Sequence, residues 1–357
     1  MIRIGLLTSG GDCQALNAAM RGVAKGLLNS DQDVELYGFL DGYKGLIYGN
    51  YKTLAFSDFS GILTKGGTIL GSSRCPFKNM RDPDENGLDK VAAMKQNYYK
   101  LNLNCLVILG GNGTHKTANL LREEGLNIVT LPKTIDNDLW GTDMTFGFQS
   151  AVDIATQTID CIHTTAASHN RVFIVELMGH KVGWVTLHAG IASGADIVLI
   201  PEIPFNIDSV IGAINKRNEQ GKNFTILAVA EGAKSTEDAK LSKKDFKKKL
   251  KERKYPSISY ELGAEIEERT GQEVRIAVPG HTQRGGSPCP YDRVISSRLG
   301  AAAGEFIMNE QYGIMVGIKN NEIIPVPLSE VAGKLKMVDP DSQIIKEAKS
   351  LGICFGD

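Results

Sequence analysis

Short apolar segments alternate with amphipathic stretches along most of this chain of 357 residues. Apolar runs bounded by turn residues predict eight strands, over residues 2–7, 34–39, 105–109, 127–131, 172–177, 197–200, 225–230 and 274–278. Apolar residues at helical spacing predict helices over residues 16–28, 90–99, 114–122 and 148–162. This alternation predicts parallel sheets with helices on both faces.

The number of predicted strands indicates two lobes. Eight strands exceed the mean sheet of roughly five or six. We therefore predict an α/β fold of two doubly wound parallel-sheet lobes, with the active site in the cleft between them. A domain boundary is expected near residue 147, ahead of the helical stretch that begins at Phe148.

The charge balance disfavours one class of partner. The chain carries 40 basic and 41 acidic residues, a net charge of −1. Anion binding must therefore depend on local clusters rather than on an overall field, and no nucleic-acid partner is expected. Residues 240–254 are mostly basic, and their few apolar positions suit one helix stripe. This pattern favours a solvated helix face over a polyanion site.

The cysteines and the hydropathy predict a cytoplasmic protein. Six cysteines lie far apart with no CxxC pair, and the chain starts in an apolar strand without a basic-then-apolar leader. Each apolar run falls short of the roughly 18 residues that a membrane span requires, so no membrane partner is expected.

The candidate reaction centre is the run Pro-Lys-Thr-Ile-Asp-Asn-Asp at residues 132–138, which directly follows a predicted strand. An aspartate can accept a hydroxyl proton, a second carboxylate can hold a metal, and a cation can neutralise phosphate. The alternative is an Asx-rich turn that caps a helix. Both interpretations remain open on this heptapeptide alone.

Glycine-rich loops follow two of the predicted strands. Residues 8–12 (Thr-Ser-Gly-Gly-Asp) and 110–114 (Gly-Gly-Asn-Gly-Thr) each precede a helical stretch, where glycine lets backbone N–H groups approach phosphate. Neither loop matches G-x-G-x-x-G or a P-loop, so an NAD dehydrogenase or a Walker-type ATPase is disfavoured. Residues 66–74 and 280–288 also combine glycines with hydroxyls and cations, and Arg275, His281 and Arg284 suggest a basic cluster for a phosphorylated sugar.

Taken together and in this order, these motifs resemble the 6-phosphofructokinase family. The resemblance covers residues 1 to about 300 and includes Glu-Leu-Met-Gly-His at 176–180. It implies phosphoryl transfer from ATP to the 1-hydroxyl of fructose 6-phosphate, with Mg²⁺ as cofactor. It also implies a homotetramer with shared active sites, in which Arg171 and Arg275 reach in from a neighbouring subunit.

The resemblance assigns roles to individual residues. Asp136 is implied as the general base, with Thr134, Lys133 and Gly113 as further catalytic residues. The implied donor-binding residues are Gly10, Arg74, Cys75, Gly111, Asn112, Gly113 and Thr114. The implied sugar-phosphate residues are Thr134, Ile135, Asp136, Arg171, Met178, Gly179, His180, Glu231, Arg275, His281, Thr282, Gln283 and Arg284. Asn112 and Asp138 are the implied metal residues.

The same resemblance assigns a ligand to each lobe. Residues 1–147 and about 283–333 are expected to form the donor-binding lobe, and residues 148–282 and about 334–357 the sugar-phosphate lobe.

Three positions depart from the usual family pattern. Asn112 stands where a magnesium-associated aspartate is usual, and His180 stands where many members carry arginine. The position of Lys133 is occupied by lysine in the pyrophosphate-using branch and by glycine in typical bacterial ATP enzymes. The combination of Lys133 with Gly113 resembles the mixed ATP/pyrophosphate branch, where it is also found in ATP-using members. Gly113 leaves space for the α-phosphate of ATP, which favours ATP. A pyrophosphate-dependent enzyme and a catalytically weakened sugar-phosphate-binding paralogue remain the alternatives.

Overall fold

The computed structural model describes residues 1–30 and 32–357. Its strands are β1 Ile2–Thr8, β2 Val34–Phe39, β3 Tyr51–Leu54, β4 Cys105–Gly110, β5 Ile128–Pro132, β6 Val172–Leu177, β7 Ile197–Leu199, β8 Thr225–Ala230, β9 Val274–Ala277, β10 Ile314–Lys319 and β11 Glu322–Pro327. Its α-helices are α1 Leu16–Leu28, α2 Tyr43–Tyr48, α3 Lys90–Lys100, α4 Asn112–Glu123, α5 Phe148–His169, α6 Trp184–Ala192, α7 Ile207–Glu219, α8 Thr236–Lys240, α9 Lys243–Glu252, α10 Ile258–Thr270, α11 Pro290–Met308, α12 Leu328–Val331 and α13 Gln343–Ser350.

The chain divides into two compact units. Unit 1 consists of Met1–Ser150 and Arg284–Lys336, and unit 2 consists of Ala151–Gln283 and Met337–Asp357. Residues 334–336, which the sequence analysis assigns to the second lobe, belong to unit 1 because their backbone and side chains bond to the loop after β5. The assignment of a separate ligand to each unit stays a prediction.

Unit 1 is built on a seven-stranded sheet in the order β11-β10-β5-β4-β1-β2-β3. Its five central strands are parallel, and every residue of β4 and β5 is buried. Continuous burial is expected of parallel strands that are covered by helices on both faces. The carboxyl ends of β1, β4 and β5 lie side by side, because Thr8 pairs with Leu109 and Gly110 pairs with Pro132.

Unit 2 contains a four-stranded, wholly parallel sheet in the order β7-β8-β6-β9. Its two central strands, β6 and β8, are buried along their whole length. Side chains from α7 and α10, such as Val210, Ile214 and Leu262, pack with strand residues Ile174 and Leu227 in one apolar core. The predicted α/β class with parallel sheets is therefore confirmed.

Three strands were not predicted from the sequence. β3 pairs antiparallel with β2, and β11 pairs antiparallel with β10. The β10–β11 hairpin turns at Asn320 and Asn321, both of which have positive φ, 50° and 66°. Positive φ at both central residues defines a type I′ turn, and asparagine is one of the residues that such turns favour. The Asn-Asn pair was therefore a turn signal in the sequence.

The basic run forms helix α9, and none of its residues is buried. The prediction of a solvated helix face is thus confirmed. Among the described residues, none of the helices combines the length and the apolarity that crossing a membrane requires.

Candidate active site

The first glycine loop lies at the carboxyl end of β1 and is bonded to residues 72–74. The Gly10 N–H donates to the Ser73 carbonyl at 3.1 Å, and the Ser72 hydroxyl donates to the Gly10 carbonyl at 2.6 Å. Gly10 has φ +85°, a conformation that glycine adopts without strain. These residues and Arg74 line a cavity of about 400 Å³. Two of the predicted donor-binding residues, Gly10 and Arg74, are therefore brought together.

The second glycine loop leads from β4 into the first turn of α4. A Cβ atom at Gly110 would lie 2.3 Å from the Thr114 side chain, so this position requires glycine. Helix α4 begins at Asn112, inside the loop, so the backbone N–H groups of its first turn, which have no partner within the helix, belong to the loop itself. A Cβ atom at Gly113 would meet nothing within 4 Å. The space beside Gly113 is open, as the sequence analysis expected.

His115 stabilises this second loop from inside the unit. Its Nδ1 lies 2.9 Å from the Gly111 carbonyl, and the ring is fully buried. Burial lowers the pKa of His115 to about 4, because the charged imidazolium would lose its hydration. His115 is not among the predicted site residues.

Asn112 uses its amide group for a backbone contact. Its Nδ2 donates to the Lys334 carbonyl at 2.6 Å, which leaves only Oδ1 for a ligand. An aspartate at this position would have no donor for that carbonyl. The departure from the usual family pattern is thus matched by a hydrogen bond that only the amide can make.

The candidate catalytic turn follows β5. The Lys133 N–H donates to the Gly110 carbonyl at 3.0 Å, and the Asp136 N–H donates to the Thr134 hydroxyl at 3.0 Å. Thr134 is buried and Asp136 is half-buried. Ile135 is fully buried, so its predicted contact with substrate could involve only its main chain. The structure places this turn directly beside the second glycine loop.

Lys133 connects the turn to the first glycine loop. Its side chain is buried, 3% exposed, and its ammonium donates to the Gly11 carbonyl. Burial lowers the pKa of Lys133, and it raises the pKa of the neighbouring Cys13 thiol to about 12. The end of β5 and both glycine loops therefore meet around one buried cation.

Arg284 lies across the first loop. Its Nη1 donates to the Asp12 carbonyl at 2.8 Å, and its guanidinium would be 3.0 Å from a Cβ atom at Gly11. Arg284 belongs to unit 1. The structure groups it with the predicted donor-binding residues of unit 1.

A second cavity of about 240 Å³ adjoins the first in unit 1. Arg74 lines both cavities, and Cys75 lines the second together with apolar and aromatic side chains such as Ile47, Tyr48 and Met80. The two cavities thus share Arg74, and Lys44 and Lys90 add further cations to the lining of the second.

Lys336 is a site residue that sequence reasoning missed. Its ammonium contacts Asn137, Thr142 and Asp143 in the loop that follows the catalytic turn. Burial lowers the pKa of Lys336 to about 8. No motif could have identified it, because it lies almost 200 residues after this loop in the chain.

A metal ion would need ligands beyond the protein. Within residues 1–30 and 32–357, no three His, Cys, Asp or Glu side chains are grouped as a protein-only metal site requires. Mg²⁺ typically binds one or two carboxylates and takes its other ligands from water and phosphate. The half-buried carboxyl of Asp138 and the Oδ1 of Asn112 fit this partial role.

Unit 2 assembles part of the predicted sugar-phosphate site at the carboxyl end of its sheet. The Glu231 carboxylate accepts hydrogen bonds from the N–H groups of His180, at 2.8 Å, and Gly179, at 3.3 Å. Met178 and Glu231 directly follow the paired strands β6 and β8. His180 is exposed and has φ +52°.

The loop after β9 is stabilised by its own hydrogen bonds. The Thr282 hydroxyl donates to the Pro279 carbonyl at 2.8 Å, and the Gln283 amide donates to the Gly280 carbonyl at 3.2 Å. His281 is exposed, whereas Gln283 is fully buried. The predicted contacts of these residues with substrate stay predictions.

Arg171 and Arg275 lie near the amino ends of strands in the same sheet, away from the carboxyl ends that carry Met178 and Glu231. Arg171 precedes β6, Arg275 is the second residue of β9, and both donate to the Glu273 carboxylate. The seven residue steps from Arg171 to Met178 span roughly 23 Å of strand. The Arg275 side chain is held by Glu273 near the amino end of β9. Its predicted grouping with His281 and Arg284 stays a prediction.

Glycine loops at adjacent ends of parallel strands, with cations and a turn that carries two aspartates, define an α/β protein that binds and transfers phosphate groups. A family model described as Phosphofructokinase matches residues 3–307. The chain belongs to the phosphofructokinase family.

Similar proteins come from several bacteria. The chain is 53% identical to an ATP-dependent 6-phosphofructokinase of Spirochaeta thermophila, over 99% of this chain and 97% of the relative. It is 45% identical to ATP-dependent 6-phosphofructokinase 3 of Bacteroides thetaiotaomicron, over 99% of this chain and all of that relative.

Solved structures share the fold. A phosphofructokinase of Pichia pastoris in the T-state superposes with a TM-score of 0.79 at 31% identity, and the match covers 98% of this chain. The chain spans only 36% of that longer protein. A pyrophosphate-dependent phosphofructokinase of Nitrosospira multiformis has a TM-score of 0.82 at 19% identity, over 98% of this chain and 90% of the other. At that identity the likeness concerns the fold alone.

Proposed function

We propose that this protein is a 6-phosphofructokinase that transfers the γ-phosphoryl group of ATP to the 1-hydroxyl of fructose 6-phosphate. One observation carries the proposal: Lys133 and its neighbours bring both glycine loops and the Thr134–Asp136 turn to adjacent strand ends. The bacterial relatives named ATP-dependent 6-phosphofructokinase, 44–53% identical over nearly the whole chain, support it.

The proposed reaction needs a base and charge neutralisation. Asp136 accepts the proton of the 1-hydroxyl while the hydroxyl oxygen bonds to the γ-phosphorus, and the bond from that phosphorus to the ADP oxygen breaks. A general base of this kind is worth roughly 10²–10⁴ in rate. The N-terminus of α4 and Arg74 supply fixed positive charge near the donor loops. Positioning and charge account for most of phosphoryl transfer.

Phosphoryl transfer in this family implies a divalent metal ion, and we infer Mg²⁺. When bound with the nucleotide, it would neutralise the charge of the phosphate oxygens. Asp138 would supply the carboxylate and Asn112 one amide oxygen, so the nucleotide and water would provide the remaining ligands.

ATP is favoured over pyrophosphate as donor by two features of unit 1. A Cβ atom at Gly113 would meet nothing within 4 Å, and the second cavity, which Ile47, Tyr48 and Met80 help to line, shares Arg74 with the first. Pyrophosphate has no base or ribose that would need this second cavity. Lys133 supports the pyrophosphate alternative, because the pyrophosphate-using branch carries lysine there.

The experiment is a coupled assay with ATP, GTP and pyrophosphate in the wild type and in Gly113→Asp. We expect turnover with ATP, and an increase of about 10- to 100-fold in the KM for ATP in the variant, because the carboxylate would repel the nucleotide phosphates. Gly212→Asp is the matched control, since Gly212 also has an open Cβ position, on α7. Absence of turnover with every donor would disprove the proposed function, and turnover with pyrophosphate alone would reverse the donor assignment.

We further propose a homotetramer with shared active sites. The arginine pair supports this arrangement, because Arg171 and Arg275 lie near the amino ends of the strands, whereas Met178 and Glu231 follow the carboxyl ends. Along the sheet of one chain, Arg171 is roughly 23 Å from Met178, and Arg275, which pairs with Phe173, is roughly 16 Å from it. A neighbouring subunit could use these arginines, and sedimentation velocity would measure the assembly state.

A further inference from the structure

The segment 334–336 contacts both parts of the candidate site in unit 1. The Lys334 carbonyl accepts from the Asn112 amide at 2.6 Å, at the first residue of α4. The Lys336 N–H donates to the Asp138 carbonyl at 2.9 Å, and Leu335 forms a β-bridge with Leu139. One short segment is therefore bonded to the donor loop and to the loop after the catalytic turn.

The Lys336 ammonium organises that second loop. It donates to Asn137 Oδ1 at 2.9 Å, to the Thr142 carbonyl at 2.9 Å and to the Asp143 carbonyl at 2.8 Å. An ammonium group has three protons, and here each one has an acceptor. Three hydrogen bonds from one half-buried charged donor hold the loop in one conformation.

A chain of hydrogen bonds continues from Lys336 to the proposed base. Asn137 Oδ1 also accepts from the Thr145 N–H at 3.1 Å, and the Thr145 hydroxyl donates to the Thr134 carbonyl at 2.9 Å. The Thr134 hydroxyl in turn accepts from the Asp136 N–H at 3.0 Å. Asn137 has φ +52°, so its backbone depends on this support.

We propose that Lys336 is a positioning residue for phosphoryl transfer: through Asn137 and Thr145 it holds the Thr134–Asp136 turn, and its segment holds Asn112 in the donor loop. This inference rests on the proposed function, since Asp136 is its endpoint. Lys336 does not contact the reacting atoms in this scheme. It sets the geometry in which Asp136 receives the hydroxyl proton.

The test compares Lys336→Met with the wild type and with Lys319→Met in the ATP-coupled assay. Lys319 is an exposed lysine at the end of β10 in the same unit, so its variant removes the same chemical group outside the network. Misplacement of the turn should lower kcat of Lys336→Met about 10- to 100-fold. The KM for fructose 6-phosphate should stay within about twofold, because this network does not bind the sugar.

A second variant, Asn137→Gly, removes the shared acceptor and tolerates the positive φ. It should also lower kcat with little change in KM, and the double variant should lose less than the product of the two single losses. If circular dichroism shows that Lys336→Met is unfolded, the kcat of Asn137→Gly alone decides whether the inference holds.

The outcomes separate the two proposals. A wild type that is inactive with every donor disproves the proposed function and this inference with it. An active wild type together with a folded Lys336→Met, or a folded Asn137→Gly, at wild-type kcat overturns the inference and leaves the function intact. A change confined to KM overturns it as well.

Discussion

The cations of the two units are held in opposite ways. In unit 1, the buried Lys133 and the half-buried Lys336 donate to backbone carbonyls and to one amide oxygen. In unit 2, Arg171 and Arg275 are at the surface and share the carboxylate of Glu273. The side chain of Arg275 is 49% exposed, whereas Lys133 is 3% exposed.

The difference separates a preorganised charge from an exchangeable one. Hydrogen bonds to main-chain carbonyls hold Lys133 and Lys336 in position, so the two lysines can fix backbone geometry. The exposed arginines can exchange Glu273 for a phosphate at little cost, since a surface ion pair is worth about 0–1 kcal/mol. We therefore expect changes to the catalytic turn and its supporting lysines to alter kcat, and changes at the arginine pair to alter the KM for fructose 6-phosphate.

The largest expected effect is on the base. Asp136→Asn keeps the shape of the turn and removes the proton acceptor, so kcat should fall roughly 10²- to 10⁴-fold. Fructose 6-phosphate binding, measured by calorimetry, should persist. Asp82→Asn, at an exposed carboxylate of the same unit, is the control. Near-normal turnover in Asp136→Asn would show that another group takes the proton.

The next effect concerns the exposed cations. Arg275→Met should raise the KM for fructose 6-phosphate about 10- to 100-fold, because one charge-assisted hydrogen bond to phosphate is worth about 1.5–3 kcal/mol. The change in kcat should be smaller than in Asp136→Asn. Arg269→Met is the matched control, because Arg269 is also paired with carboxylates, those of Asp208 and Glu265 on unit 2.

Mixing the two variants sharpens this comparison. If sites are shared, oligomers that combine Asp136→Asn subunits with Arg275→Met subunits should regain part of the activity, because some sites contain neither change. Mixtures that stay as inactive as their components would contradict the shared-site proposal.

The smallest effect is on stability, at His115 in unit 1. Its folded pKa is depressed from 6.5 to about 4, so the folded state binds fewer protons than the unfolded state between these values. The contribution of neutral His115 to the free energy of unfolding is fully present above pH 6.5 and is lost as the pH falls towards 4. At pH 5 the loss is about 2 kcal/mol.

Urea unfolding at pH 7 and pH 5 measures this loss. The free energy of unfolding should fall less between these pH values in His115→Gln than in the wild type. His169→Gln, at an exposed histidine, should keep the wild-type pH dependence. An unchanged pH dependence in His115→Gln would assign the acid sensitivity to other groups.

The strands whose bounds were predicted correctly include the two that are buried along their whole length in unit 2. β6 and β8 have the predicted bounds, because continuous apolar runs flanked by turn residues permit little else in a parallel sheet. β2 also has the predicted bounds, although it contains Glu35 and is only partly buried. The hairpin of β10 and β11 was missed. Its edge strand contains Pro325, which a strand tolerates only at an edge, so the periodic signal was weak.

The local sequence determined the motifs and their chemistry. Residues 8–12, 110–114 and 132–138 each follow a strand in the structure, as predicted, because glycine, hydroxyl and Asx residues select such turns. These segments, with their order along the chain, also sufficed to recognise the family.

Only the tertiary structure decided which distant residues support these motifs. Lys336 reaches the catalytic loop, and Lys334 reaches Asn112, across about 200 residues of chain. Parallel pairing likewise placed Arg171 and Arg275 near the amino ends of the strands and Met178 and Glu231 at the carboxyl ends. Such contacts depend on strand order and register, and no local preference of the chain encodes these two properties.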